Sequence, residues 1–152
     1  MPSKKCFTLL ELMLVIAIIS VVAGINLPYF KNQLDKFRIE DFVRRLYLFF
    51  DHAKTYAVFY SLNTKIEIED NKEITITKKQ DEEFKPIEER FRRISLLKNM
   101  VIEAKDSEPV LFYPDGTCGE FSWDIVYRGK KLYTIKSLGF DGKFEIEKYK
   151  SR

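Results

Sequence analysis

The chain has 152 residues, room for one domain of roughly 100–150 residues with an anchor and none for two domains. Hydrophobic residues make up 45% and charged residues 32%, a mixture that closes a core and excludes a disordered chain, while a formal charge of +3 is too small for the footprint of a strongly basic nucleic-acid binder. Cys6 and Cys118 are the only cysteines, which excludes an internal disulfide framework once the segment through Cys6 is removed.

From Phe7 to Leu27 the only charged residue is Glu11. That run matches the roughly 20 residues a membrane-spanning helix needs. Lys4 and Lys5 precede it without an acidic neighbour, so the positive-inside tendency places the N-terminus in the cytoplasm and the rest of the chain on the far side. An ordinary signal peptide cut near Val21-Val22-Ala23, an uncleaved signal anchor and a buried core helix are the competing readings. Glu11 argues against the first, because a carboxylate in an apolar core costs about 2.5–3.5 kcal/mol on insertion scales and is usually there for function. A soluble core helix would show a polar face, and this run shows almost none. Pro28 removes a backbone donor and is expected to kink or interrupt the helix near the membrane surface.

The string Lys4-Lys5-Cys6-Phe7-Thr8-Leu9-Leu10-Glu11 resembles the class III signal of type IV prepilins and pseudopilins. In that family a short basic leader precedes a mature chain opening on Phe-Thr-Leu-(Ile/Leu)-Glu, which Phe7 to Glu11 match position for position; Cys6 stands where the family usually has Gly. The resemblance implies that prepilin peptidase cuts between Cys6 and Phe7 and that the new amine of Phe7 is methylated. It also implies that Glu11 serves subunit assembly by meeting the Phe7 amine of an adjacent subunit; lying near the headgroups, where its charge costs little, is the plainer alternative. Pro28 falls where the family helix commonly carries a proline.

Between Tyr29 and Leu62, Phe30, Leu34, Phe37, Phe42, Leu46, Phe49, Phe50, Ala53, Ala57 and Tyr60 recur at spacings of three to five. This predicts an amphipathic stalk helix with one face to bury, ended by Asn63. The period then changes to two. Lys65 to Glu69 and Glu73 to Thr77 alternate around an Asp70-Asn71-Lys72 turn, which predicts a hairpin. Further strands are expected over Asn99 to Ala104, Val110 to Tyr113, Glu120 to Tyr127, Leu132 to Leu138 and Lys143 to Glu147, with Gly116, Gly129 and Gly142 at turns. Gln80 to Arg93, charged and holding Pro86, is expected to be an exposed loop or short helix. The expected fold class is α+β, a long N-terminal helix packed on a C-terminal antiparallel sheet. Its organisation is a leader over 1–6, a transmembrane half-helix over 7–28, a stalk over 29–63 and a β-rich domain over 64–152.

Three further stretches resemble the H-type, or FimT-like, minor pseudopilins: Ala53-Lys54-Thr55-Tyr56-Ala57, Phe112-Tyr113-Pro114-Asp115-Gly116, and Leu138 to Phe144. The resemblance implies a structural subunit of a type II secretion pseudopilus or a type IV pilus. Its partners would be other pilin or pseudopilin subunits, prepilin peptidase, the inner-membrane assembly platform and the lipid bilayer. A DNA-binding minor pilin for uptake is the alternative, resting on Lys143, Lys148, Lys150 and Arg152, and the interleaved Glu145 and Glu147 weigh against it.

Enzymatic function is not expected. His52 is the only histidine and reads as a helix surface or packing residue, which leaves no material for a metal cluster or catalytic triad, and no cofactor motif appears. Cys118 reads as a partly buried thiol, and Asp81, Glu82 and Glu83 as solvated surface. Phe121, Trp123, Ile125 and Tyr127, at period two, read as a sheet face.

Overall fold

The computed structural model describes residues 8–70, 72–81, 83–87, 93–105, 109–137, 139 and 142–149, without the side chains of 23 and 25–29. One helix, α1, runs over Leu9–Tyr60, and its residues belong to two compact units, Met1–Asp41 and Phe42–Arg152.

α1 starts at Thr8. The Glu11 N–H donates to Thr8 Oγ1 at 3.3 Å and the Leu12 N–H to the Thr8 carbonyl at 3.2 Å, so the hydroxyl satisfies a donor the first turn cannot pair internally. The helix is not interrupted at Pro28, whose backbone stays helical. At the other end Ser61 takes φ 53°, its N–H donates to the Val58 carbonyl at 3.3 Å, and the Leu62 N–H reaches the Ala57 carbonyl at 3.1 Å. This is a Schellman closure, so Ser61 stops the helix and not Asn63, which lies two residues beyond the reversal.

Within the first unit the side chains of Leu9 to Val22 and of Phe30, Leu34 and Phe37 are exposed. The expected burial of the last three fails, whereas Phe42, Leu46, Phe49, Phe50, Ala53 and Ala57, further along the same stripe, are buried.

In the second unit two antiparallel sheets are built from β1 (Thr64–Glu69), β2 (Glu73–Gln80), β3 (Glu83–Pro86), β4 (Arg93–Ser95), β5 (Met100–Ala104), β6 (Val110–Phe112), β7 (Phe121–Tyr127), β8 (Lys130–Ser137) and β9 (Phe144–Lys148). The first sheet has the order β3-β2-β1-β6, and β4 also pairs with β2; the second has the order β5-β7-β8-β9. β3 and β4 divide one edge of β2, β3 pairing with Thr77 to Gln80 and β4 with Glu73 to Thr75. β3 lies within the segment Gln80 to Arg93 expected to be a loop or helix, and β4 begins at that segment's last residue. β3 is exposed at all four positions and ends in Pro86, so it carries no period-two signal, and a proline is tolerated on an edge strand. The β7–β8 hairpin turns on Arg128 (φ 51°) and Gly129 (φ 75°), the two positive φ values of a type I′ turn.

Phe50 is the hub between this part of α1 and both sheets. It is wholly buried, with the rings of Phe121, Trp123 and Phe144 at 5.1, 5.3 and 5.8 Å and that of Phe112 at 6.2 Å. Ile66, Ile74, Ile76, Ile125 and Ile135 are wholly buried on the strands of the two sheets. Thr64 Oγ1 donates to the Ala53 carbonyl at 3.0 Å, joining β1 to the helix in a buried setting.

Candidate functional site

Two places collect the residues that the sequence singles out. The first is the start of α1. Cys6 and Phe7 lie outside the described residues. Glu11 is exposed in the first helical turn, where a carboxylate opposes the partial positive charge of the helix N-terminus. Thr8-Leu9-Leu10-Glu11 has the Ser/Thr-x-x-Glu order of a capping box, and the bond from the Glu11 N–H to Thr8 Oγ1 is the half of it that forms. Thr8 therefore has a task of its own: it fixes where the helix begins, one residue after Phe7.

Beyond this turn Ser20 is the next polar side chain, and its hydroxyl donates to the Ile16 carbonyl at 2.8 Å, keeping its hydrogen bond inside the helix. Among the described residues no helix is long and apolar enough to cross a membrane. The described side chains of the apolar run end at Val22, short of the roughly 20 residues of a span, and the expected remainder to Leu27 includes the side chains outside the described set. At Pro28 the missing N–H withdraws the partner of the Gly24 carbonyl while the helix continues.

The second place is a junction around Lys54. Its Nζ donates to the Gly142 carbonyl at 2.9 Å. Gly142, at φ 59°, sits so close to the 114–116 turn that a Cβ would collide with the Gly116 carbonyl oxygen and lie 3.1 Å from Lys54 Cε. A Cβ on Gly116 would lie 3.7 Å from Val58 Cγ2, so the turn also rests on the helix. Asp115 closes that turn: Oδ1 accepts from the Thr117 N–H at 2.9 Å and from its hydroxyl at 2.7 Å, and these bonds hold the Asp115 carboxyl below its ordinary pKa. The Cys118 N–H reaches the Gly139 carbonyl at 3.4 Å, and the buried Cys118 thiol lies 3.0 Å from Ser137 Oγ. The three stretches grouped by resemblance thus meet in one junction, which their spacing in the sequence does not reveal. None of these groups is arranged as nucleophile and base.

Elsewhere Asp81 and Glu83 are exposed, and Glu82 lies outside the described residues. Lys136 pairs with Glu147, and Lys148 lies 5.6 Å from the Tyr133 ring, so part of the basic C-terminal stretch is engaged within its own sheet. Lys150 and Arg152 lie outside the described residues. His52 is half-buried, with its ring 6.4 Å from that of Tyr56.

Residues 1–25 match the family model described as the prokaryotic N-terminal methylation motif. The minor pseudopilin EpsH of the type 2 secretion system of Vibrio cholerae is similar in fold, with a TM-score of 0.57 at 11% identity over 70% of this chain and 94% of that one. The type IV minor pilin FimU of Pseudomonas aeruginosa is similar as well, with a TM-score of 0.60 at 16% identity over 74% of this chain and 90% of that one. No curated protein sequence matches the chain. The fold is pilin-like: an N-terminal helix on antiparallel sheets, behind an N-terminal methylation motif.

Proposed function

We propose that the chain is a minor pilin or pseudopilin, a structural subunit of a type II secretion pseudopilus or type IV pilus and not an enzyme. One coincidence supports the reading: a methylation motif over residues 1–25 opens the same helix whose later turns carry a pilin-like fold. In this reading the amino-terminal half of α1 anchors the chain in the cytoplasmic membrane, with the leader inside and the β-rich unit outside. Prepilin peptidase cuts between Cys6 and Phe7 and the Phe7 amine is methylated. The cut places that amine within one helical turn of Glu11 and directly before the Thr8 cap.

Glu11 then has two tasks that one substitution separates. As a carboxylate in the first turn of α1 it faces the partial positive charge of the helix N-terminus, an effect of about 0.3–1 kcal/mol that does not decide whether the helix forms. As a charge in an apolar phase it is tolerated when it meets the amine of an adjacent subunit, which a neutral amide cannot reproduce. Mass spectrometry of chain made with the cognate peptidase is expected to show an N-methylated start at Phe7; a start at Gly24 refutes the reading. Glu11→Gln is expected to be processed and inserted normally and to enter the filament poorly, measured by crosslinking to the major subunit. Normal crosslinking of this variant would leave Glu11 with its helix-terminus task alone.

A further inference from the structure

Thr8 holds the N-cap position of α1. Its hydroxyl accepts from the Glu11 N–H at 3.3 Å, its carbonyl accepts from the Leu12 N–H at 3.2 Å, and the helix runs on from Leu9. An N-cap residue gives its carbonyl to the helical ladder while its own backbone angles stay outside the helix. The ladder therefore opens at Thr8, and the cut proposed between Cys6 and Phe7 falls before it.

The residues on either side sharpen this boundary. Ser, Thr, Asp and Asn are the side chains that cap well, and the nearest of them are Ser3 before Thr8 and Ser20 after it. Ser20 does not cap, since its hydroxyl donates to the Ile16 carbonyl at 2.8 Å inside the helix. A helix begun at Ser3 instead would take Cys6 and Phe7 into its first turn, and the peptide to be cut with them. Lys4 and Lys5 would then face the partial positive charge of that helix end, which disfavours this start without forbidding it. A cap after the cut and two lysines before it thus favour the same boundary.

We infer that Thr8 is a positioning residue for processing: by capping α1 it keeps the peptide between Cys6 and Phe7 off the helix and open to the peptidase. A peptide bond inside a helix is cut through its opened form, and the rate follows the population of that form. The cut adds one water across the bond, leaving a carboxylate on Cys6 and an amine on Phe7, and Thr8 takes no part in that chemistry. The inference rests on the reading that the chain is cut before Phe7.

The test is the initial rate at which the purified cognate peptidase cuts the full chain in detergent micelles, with the products identified by mass spectrometry. Thr8→Ser and Thr8→Asn, which cap at least as well, are expected to be cut within about twofold of the unaltered chain. Thr8→Val keeps the shape of threonine and loses the acceptor; it is expected to be cut roughly three- to tenfold more slowly, the range that a lost cap corresponds to. Ser3→Ala added to Thr8→Val is expected to restore most of the rate, because it removes the alternative start. A Thr8→Val chain cut as fast as the unaltered one, or faster, overturns the proposal. Slow cutting of Thr8→Asn also overturns it, since the peptidase would then be reading the shape of threonine, and so does a Thr8→Val rate that Ser3→Ala leaves unchanged. An unaltered chain cut elsewhere than before Phe7 fails the processing reading, whereas one cut there at a rate indifferent to the acceptor on residue 8 fails this inference alone.

Discussion

The two halves of α1 are one continuous helix with opposite surroundings. From Leu9 to Phe37 the described large apolar side chains are exposed, Leu9 at 78% and Phe37 at 66%, whereas Phe42, Leu46, Phe50, Ala53 and Ala57 are wholly buried. The apolar stripe itself does not change character at the boundary, since Phe30, Leu34 and Phe37 continue the spacing of Phe42, Leu46 and Phe49. What changes is whether the same unit supplies a second layer. A lone helix cannot bury a stripe against itself, while two sheets can, so apolar spacing announces a face that needs a partner without saying that the chain provides one. The exposed half is the part for which the filament reading calls on lipid and neighbouring subunits.

The comparison is broken most directly at its buried end. Phe50→Ala removes the ring that four aromatic residues surround and is expected to cost about 3–5 kcal/mol, measured by denaturant unfolding followed through Trp123, the only tryptophan. A loss below about 1 kcal/mol would mean that the helix and sheets do not share one core. Gly142→Ala follows, at about 2–3 kcal/mol, because the added methyl collides with the Gly116 carbonyl at a positive φ. Its effect should be shared in part by Lys54→Met, which keeps the aliphatic stem and loses the hydrogen bond to Gly142.

A smaller effect, and one that depends on pH, is expected at Asp124. Burial raises its pKa, but hydrogen bonds from Lys131 and Thr134 outweigh burial and hold the carboxyl below its ordinary value. A depressed folded-state pKa contributes stability that is fully present above the unfolded value, near about 4, and is lost as pH falls through the lower folded value. Asp124→Asn is expected to cost about 1 kcal/mol at neutral pH and to flatten the acid limb of the stability profile; an unchanged acid limb would assign that limb to other carboxylates. The smallest change is expected from Phe37→Ala, within about 0.5 kcal/mol for the isolated chain although the side chain removed is the same as at Phe50. If Phe37→Ala instead impairs crosslinking to the major subunit, the exposed half of the stripe has its partner in the filament.

Several elements were legible because their signals are local. The β1–β2 hairpin shows strict alternation around a polar turn, and the register Thr64 to Lys78 through Glu69 to Glu73 follows it. β5 to β9 lie within about two residues of their expected ends, each flanked by turn chemistry. The Thr8 cap is local as well, carried by the Thr-x-x-Glu order at the start of α1. β3 and β4 were not legible: four exposed residues ending in Pro86 and three around Ile94 are strands only because the free edge of β2 offers them hydrogen bonds.

The sequence by itself determined the N-terminal motif, the helical stripe and the alternating strands, because each depends on residues within a few positions of one another. Tertiary structure alone decided that the strands divide into two sheets with Phe50 between them, and that Lys54, Gly116 and Gly142 meet in one junction. It also placed Arg93 across from Arg45 to frame a cavity. These pairings join residues tens of positions apart, and which distant segments meet is set by the total burial and hydrogen bonding of the folded unit, a quantity no local pattern contains.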